Sequence, residues 1–486
     1  MKRIVLLIII VLGAAGQWTW ADETTDAINA LKQQIQELDQ KVRILERQHE
    51  LDVEAAKAAE ATKAAADEKN AAEVKPKEVP QIVVGSGGLV VTGVGTNFAF
   101  GLHGLLQVDT HTFFNDGGIE GNDSIILRRA RPIFSGTLYH DFDFLFTPDF
   151  GGSGVQIFDA YLNYRYSPWL QLRGGKFKPP VGMEQMQSDS VTMFSERGFV
   201  TQLMPGRDLG FQLWGDIAGG VLSYSAGVFN GVGDARNTGT VDFEDHREVV
   251  GRIVIQPFRA TEVKALKGLS FGLGGTWGNV SSNAAGLPST TGGTLPGYYT
   301  ADGMQQFFAY TNSTVANGNH WRLSPQAIYY FGPLSVLGEY AISEQRVTRT
   351  VAPVASATLR NRAWQVAAGW VLTGEDATYN GITPKRPFDL SAGHWGAFQL
   401  VGRYGELDID NNAFPLYSNP AVSASAAHEW AVGLNWFLNR NLRFNTSYSR
   451  TTFEGGSAST STATSPPGNV TRQPEELVTT RVQLAF

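Results

Sequence analysis

Apolar and polar residues alternate over residues 97–486, in segments of about ten residues separated by turn-forming Gly, Pro, Asn and Ser. In a strand, this alternation gives one apolar and one polar face. We therefore predict an all-β domain, a 16-stranded antiparallel transmembrane β-barrel, because the alternation and the even strand number are typical of bacterial barrels. The predicted strands lie near residues 97–108, 125–138, 139–149, 155–166, 169–177, 209–217, 221–229, 247–257, 268–278, 320–331, 333–347, 359–372, 393–405, 427–437, 440–451 and 476–486.

The second predicted strand, 125–138, carries arginines on its polar face. Arg129 and Arg131 alternate with Ile126 and Ala130, which belong to the opposite, apolar face. Guanidinium groups cannot face the apolar core of a soluble protein, but they can face a water-filled lumen while the other face of the strand meets lipid. The strand therefore indicates a pore lined by arginine.

Strict alternation makes two further predictions. It would place Arg128 against lipid, which costs about 2–4 kcal/mol at the middle of a bilayer, so we expect a β-bulge that turns this side chain inward. In the strand 155–166, it directs Phe158 and Ala160 to the lipid face and Asp159 to the lumen.

The N-terminal region has a different pattern. Residues 1–21 have the charged start and short apolar core of a secretory signal peptide, with cleavage after Ala21 favoured and 14–16 as the alternative site. Residues 22–75 are predicted to form an α-helical coiled-coil segment, or a single amphipathic helix, and 76–96 a linker. The heptad positions are Ile28, Leu31, Ile35, Leu38, Val42 and Leu45.

The connections between the predicted strands differ in length. Trp169 and Pro333 mark short turns, whereas 279–319 and 373–392 are long and polar, as expected for outer loops. The connection 178–208 is unusually apolar, so we expect it to fold into the lumen and narrow it. The alternative is an ordinary extracellular lid.

Composition limits the functions that remain open. Only 17% of the residues are charged, which is below the average for soluble domains. Cysteine is absent, which excludes disulfides and thiolate chemistry. The eight His residues are scattered, with no metal spacing and no Ser/His/Asp constellation, so we predict neither an enzyme nor a metal site, and no cofactor. A soluble all-β protein is the alternative, but outward Trp with inward Arg would be an unusual core.

The chain from about residue 87 to the C-terminal Phe486 resembles the phosphate-selective porin O and P family. The resemblance implies a trimeric, 16-stranded pore in the bacterial outer membrane, with paired arginines and a nearby aspartate as a central anion site. It rests on Gly104–Asp109, Leu127–Ala130, Phe158–Ala160, Gly175–Phe177, Gly182–Glu184, Leu372–Glu375 and Gly433–Trp436, together with the terminal aromatic residue.

The resemblance also implies which positions of this sequence correspond to the anion-site residues of the family. Arg128 and Arg129 match its arginine pair and Asp159 its aspartate, although Asp159 can equally bridge neighbouring arginines. Arg131 and Arg252 are further lumen-facing candidates for anion binding. Two departures weaken phosphate selectivity: 271–278 contains no Arg, and only five Lys follow residue 80, so a preference for anions in general is the safer expectation.

The sequence thus predicts an outer-membrane porin for passive diffusion of anions, with phosphate and polyphosphate among the candidates. The expected partners are outer-membrane lipid, small anions, two further copies in a homotrimer, and the cell wall through the coiled coil; no nucleic acid is expected. The alternatives are a general diffusion porin, or a tether between outer membrane and cell wall with incidental conductance.

Overall fold

The computed structural model describes residues 79–94, 97–114, 121–152, 154–238, 246–281, 295–456 and 472–486, with six residues of the N-terminal region. The chain divides into two units, Met1–Glu78 and Val79–Phe486. The six described residues of the first unit, at 47, 53, 56–58 and 60, are helical and exposed. The predicted signal peptide and the rest of the predicted coiled coil lie outside the described residues. No described helix is long and apolar enough to cross a membrane.

The second unit contains a closed antiparallel barrel. A hairpin of β1 (Gln81–Gly85) and β2 (Gly88–Thr92) precedes it. Within the described residues, sixteen strands form the wall: β3 (Phe98–Phe113), β4 (Ser124–Leu138), β5 (Phe142–Asp149), β6 (Gln156–Ser167), β7 (Leu170–Phe177), β8 (Asp208–Ile217), β9 (Leu222–Phe229), β10 (Glu248–Ile255), β11 (Leu269–Ser281), β14 (Thr314–Phe331), β15 (Leu334–Arg349), β16 (Ala355–Val371), β17 (Ala397–Asp408), β18 (Ala424–Phe437), β19 (Leu442–Gly455) and β20 (Glu475–Ala485).

Each wall strand pairs antiparallel with the next along the chain, and β20 pairs with β3 to close the barrel. A separate ribbon, β12 (Tyr298–Tyr299) and β13 (Gln306–Phe308), lies in the connection between β11 and β14. Short helical segments occupy Met183–Met186, Phe199–Leu203, Ala218–Gly220, Lys264–Lys267 and Asn411–Ala413. The predicted 16-stranded antiparallel barrel is confirmed, strand for strand.

The wall strands follow the predicted alternation. On β20, Val482 is exposed on the outer face, whereas Arg481 and Gln483 are buried inside. On β16, Val366 and Trp370 are exposed, and Gln365, which precedes Val366, is buried. The outer surface is therefore apolar, as a lipid-facing surface requires, and the polar side chains fill the lumen.

Arg128 is the extra residue of a β-bulge, as predicted. Gln107 of β3 lies opposite Arg129, but the next residue, Val108, lies opposite Leu127, so Arg128 has no cross-strand partner. The bulge rotates Arg128 to the lumen side, where it contacts a loop carboxylate instead of lipid.

A second bulge corrects the prediction for Phe158. Thr147 of β5 lies opposite Asp159, and Pro148 lies opposite Ile157, so Phe158 is the extra residue on β6. Its ring turns inward and contacts two guanidiniums rather than facing lipid. The alternation did not predict this bulge, because an apolar side chain on the apolar face gives no sign of one.

The hairpin and the C-terminus complete the edge of β3. β20 pairs with β3 only up to Leu105, and β2 pairs with the remaining residues of that edge, from Leu102 to Ala99. Gly104 and Phe486 exchange two backbone hydrogen bonds at the junction. A Cβ on Gly104 would lie 2.6 Å from the Phe486 ring, so glycine lets this ring lie close to the β3 backbone. The hairpin lies within the predicted linker 76–96.

The connections lie at two ends of the barrel. The end with the two-residue turns 168–169 and 332–333 is called the short-turn end. The connection 372–396 lies at this same end, with Ala377 N–H donating to Gly332 O and Phe388 N–H to Leu438 O. The prediction that 373–392 is a long outer loop is therefore wrong, because the antiparallel order of the strands, not the length of a connection, fixes its end.

Candidate functional site

The connection between β7 and β8, residues 178–207, folds into the lumen as predicted; we call it the constriction loop. Amide side chains of the wall hold its backbone: Gln107 Nε2 donates to Asp189 O and Gln483 Nε2 to Ser190 O, both at 2.9 Å. Asn435 Nδ2 donates to Met193 O at 3.0 Å. These contacts satisfy carbonyls that would otherwise be buried without donors.

The apolar residues of the constriction loop explain why it leaves the outer solvent. Phe199, Val200 and Leu203 are buried in one hydrophobic cluster with Leu359 and Ala363 of β16. Burial of each such side chain contributes about 1.5–3 kcal/mol. The loop is therefore fixed against β16 by apolar packing, while its Asp189 and Glu196 contact arginines of β4.

Glu196 of the constriction loop lies among three wall arginines. Arg128 donates through Nε to Oε1 at 2.8 Å and through Nη2 to Oε2 at 3.0 Å. Arg129 Nη1 and Arg481 Nη2 donate to Oε1 at 3.1 and 2.8 Å. The Arg128 side chain retains 30% exposure against 10% for Glu196, so the guanidinium is the more accessible member of the pair.

Asp189 is a second carboxylate of the loop within the same cluster. It contacts Arg131 and Arg197, and its Oδ2 lies 3.5 Å from Arg129 Nε. Arg131 also donates from Nε to Asp149 Oδ2 at 2.6 Å. Two loop carboxylates thus connect the predicted arginines of β4 into one ion-pair network.

Both loop carboxylates remain ionised in this setting. Burial alone would raise the pKa of Glu196, but Arg128, Arg129 and Arg481 outweigh burial and hold that pKa well below its usual range. Burial is likewise outweighed at Asp189, whose pKa is held well below its usual range mainly by Arg197, Arg129 and Arg131.

Asp159 lies at the side of this network and pairs with the loop. Its Oδ1 accepts from Arg207 Nε at 3.2 Å, and this ion pair is with Arg207 rather than with the β4 arginines. The Phe158 ring is sandwiched between two guanidiniums, with Arg131 Cζ at 4.1 Å and Arg207 Cζ at 4.2 Å from its centroid. Asp159 therefore positions Arg207, and the Phe158 ring contacts both Arg207 and Arg131.

The charges of this cluster nearly balance among the described residues. We call these eleven groups the constriction cluster. Six guanidiniums meet five carboxylates, which leaves one positive charge in excess. The groups are Arg128, Arg129, Arg131, Arg197, Arg207 and Arg481, with Asp109, Asp149, Asp159, Asp189 and Glu196.

Arg252 faces the lumen as predicted but stands apart from the constriction cluster. Its Nε and Nη2 donate to Gln326 Oε1 at 3.1 and 2.9 Å. It forms no ion pair with a carboxylate among the described residues. The structure thus brings Arg128, Arg129, Arg131 and Asp159 together and leaves Arg252 separate.

Sequence reasoning did not assign Glu196, Asp189, Arg207 or Arg481 to the site. Arg481 could have been found, because alternation on the last strand places it inward. The loop residues gave no such signal, since their partners are distant in sequence and depend on how the loop enters the barrel. No group of His or acidic residues in the described ranges is arranged to hold a metal ion.

A closed 16-stranded barrel with an apolar exterior, a polar lumen and an inward loop defines a porin, a channel and not an enzyme. The chain belongs to the phosphate-selective porin O and P family, whose model matches residues 100–486. The protein is therefore an outer-membrane porin. A comparison with curated proteins finds no match.

The chain is similar to solved outer-membrane proteins at low sequence identity. The outer-membrane channel DcaP of Acinetobacter baumannii is 11% identical, with 81% of this chain and 98% of that chain covered and a TM-score of 0.51. An anion-selective porin from Comamonas acidovorans is 13% identical, covering 80% and 100%, at 0.48. The trimer form of OmpT from Vibrio cholerae is 9% identical, covering 80% and 99%, at 0.45.

Proposed function

We propose that this porin conducts small anions by passive diffusion. Arg128, Arg129 and Arg131 would form the anion site at the constriction, with Asp159 positioning Arg207 beside them and Arg252 attracting anions elsewhere in the lumen. The observation that carries the proposal is the unequal exposure of Arg128 and Glu196, because an ion entering the constriction meets the guanidinium edge of the pair first.

The chemistry of the constriction suits transient binding. A guanidinium offers several N–H donors in one plane, which replace part of the hydration shell of an oxyanion. Glu196 already shares Arg128, Arg129 and Arg481, so an entering anion competes with a resident carboxylate. Competition keeps the affinity low enough for release, which a conducting site requires.

The substrate class is broader than phosphate in this proposal. The family name indicates phosphate, and phosphate and polyphosphate are among the anions that we propose as substrates. The wall segment 271–278 nevertheless contains no Arg, and its inward residues are Gly272, Gly274, Thr276 and Gly278. This segment offers one hydroxyl but no guanidinium to a second phosphate, so we propose selectivity for anions in general.

We further propose that the porin is a homotrimer. On the outer surface of β3, β4 and β5, Phe100 lies 6.3 Å from Phe134, and Phe134 lies 6.1 Å from Phe146, measured between ring centroids. These rings form an apolar face that suits contact with another copy as well as with lipid. The coiled coil predicted over 22–75 would extend this trimer or reach the cell wall.

The tether alternative makes a different prediction for the N-terminal region. If residues 22–80 only anchor the barrel to the cell wall, their deletion should weaken the envelope and leave single-channel conductance unchanged. A general diffusion porin would retain its conductance but show no dependence on the constriction arginines.

The experiment that tests the anion proposal is the reversal potential in a planar bilayer under a salt gradient. The wild-type protein should be anion-selective, and the double variant Arg128→Ala/Arg129→Ala should lose most of that selectivity. A double variant at the outer surface, Arg360→Ala/Arg362→Ala, is the matched control. Cation selectivity of the wild type would refute the proposal.

A further inference from the structure

Arg173 on β7 is a lumen-facing arginine without polar partners. It donates no hydrogen bond and forms no ion pair with any residue that the structure describes, and its buried Nε is among the atoms left without a partner. Aromatic rings hold the guanidinium instead: its Cζ lies 4.3 Å from the centroid of Tyr161, 5.0 Å from Trp214 and 5.5 Å from Phe177.

The strands on either side do not neutralise this charge. The residues opposite Arg173 are Asn163 on β6 and Gln212 on β8, both uncharged. The acidic residues of the adjoining wall have other partners: Asp143 pairs with Arg165 at 3.0 Å, Asp159 pairs with Arg207 at 3.2 Å, and Asp216 accepts a hydrogen bond from Ser223 Oγ. Arg173 therefore has no ion-pair partner among the described residues.

Stacking on aromatic rings leaves the edge of a guanidinium available. The ring faces contact the plane of the group, whereas its N–H donors point outward in that plane. A half-buried cation with unused donors calls for water or an anion as its partner. Beyond β8, the inward residues Ser223, Ser225 and Gly227 of β9 are small, so their side chains occupy little of the lumen near this site.

We propose that Arg173 is a second anion-binding residue, nearer to the short-turn end than the constriction cluster, and that its ligand is a small oxyanion. The site rests on the proposed anion conduction and deepens it: an anion released at Arg128 would be bound again before it leaves the barrel. Two weak sites in sequence let one anion enter as another departs.

Trp214 reports on this site directly, because its ring contacts the guanidinium. The full-length porin in detergent would be titrated with inorganic phosphate while tryptophan fluorescence is recorded, and Trp214→Phe identifies the part of the signal that belongs to this residue. We expect a saturable change in the wild type and a rise of about tenfold or more in the half-saturating concentration for Arg173→Gln.

Two controls separate binding from folding. Arg165→Gln removes a neighbouring arginine that already has a carboxylate partner and should leave the titration unchanged. Arg173→Lys keeps the charge without the planar fork, and should recover part of the response; its folding is checked by heat-modifiable mobility on a gel. If Arg173→Gln folds and its phosphate response equals that of the wild type, or if the wild type gives no Trp214 response, the proposal is overturned.

The same variants distinguish this proposal from the proposed function. Should the wild type prove cation-selective while the Trp214 response persists and depends on Arg173, anion conduction fails and the site stands. Should the wild type be anion-selective with a Trp214 response that ignores Arg173, conduction stands and this site fails.

Discussion

Arg128 and Glu196 form a two-pronged ion pair, Nε to Oε1 at 2.8 Å and Nη2 to Oε2 at 3.0 Å. The pair joins a bulge residue of the wall to the constriction loop. Its carboxylate lies where the proposed anion would approach the arginines, so the porin carries its own counter-ion at the constriction. The anion selectivity of the porin should therefore depend on this internal competition.

Replacing the resident carboxylate should strengthen anion binding. Glu196→Gln keeps the size of the side chain but removes a negative charge from Arg128, Arg129 and Arg481. We expect greater anion selectivity in reversal-potential measurements, together with a loss of about 3–5 kcal/mol in stability, because a buried ion pair is broken. Glu262→Gln, in an exposed turn, is the control. Unchanged selectivity in a folded Glu196→Gln protein would contradict the idea of competition.

Phe158 should matter more to stability than an aromatic residue on the lipid face. Phe158→Leu removes the ring between Arg131 and Arg207, and each cation–π contact contributes about 0.5–2 kcal/mol. We expect a lower thermal unfolding temperature in detergent and faster hydrogen exchange in the constriction loop. Phe146→Leu, on the outer face, should leave loop exchange unchanged. Equal loop exchange in the two variants would show that the sandwich does not hold the loop.

Acid should release the constriction loop only at low pH. The native pKa values of Glu196 and Asp189 are depressed, so their ion pairs contribute stability at a pH above the ordinary carboxyl value of about 4. That contribution is lost as pH falls from about 4 through the depressed values. We expect the difference in reversal potential between the wild type and Glu196→Gln to stay constant from about pH 7 to 5 and to change below. A midpoint near pH 6 in this difference would contradict the ion-pair assignment.

Tyr379 links the short-turn end to the constriction loop. Its hydroxyl donates to Met183 O at 3.0 Å, and its own carbonyl accepts from Gln187 Nε2 at 3.2 Å. Tyr379→Phe removes one hydrogen bond, worth about 1 kcal/mol. We expect more frequent current fluctuations in single-channel records with unchanged ion selectivity. Tyr404→Phe, on the outer surface, should behave as the wild type; if both variants do, the contact does not restrain the loop.

The wall was predictable because period-two alternation is imposed at every strand by lipid on one side and water on the other. The same rule predicted the bulge at Arg128, because a charged side chain that faces lipid is costly. It did not predict the bulge at Phe158, because an apolar side chain that faces lipid costs nothing. The strand order also determines the end of the barrel at which 372–396 lies. The prediction for this connection was wrong because it used the length of the connection instead of the strand order.

The partners of the arginines could not be predicted from the sequence. Glu196 is separated by more than sixty residues from Arg128 and by a far longer stretch from Arg481, and its place depends on how the apolar residues of the loop pack inside the barrel. Alternation states which side chains enter the lumen. It does not state which of them meet, because that is decided by packing across the barrel.

Charge reversal at Arg128 tests the central claim most directly. The reversal potential of Arg128→Glu would be measured in a planar bilayer under a salt gradient, beside Arg360→Glu on the outer surface as the control. We predict that Arg128→Glu abolishes or inverts anion selectivity, while Arg360→Glu retains it. Wild-type anion selectivity in a folded, conducting Arg128→Glu porin would contradict the assignment of the constriction arginines as the selectivity site.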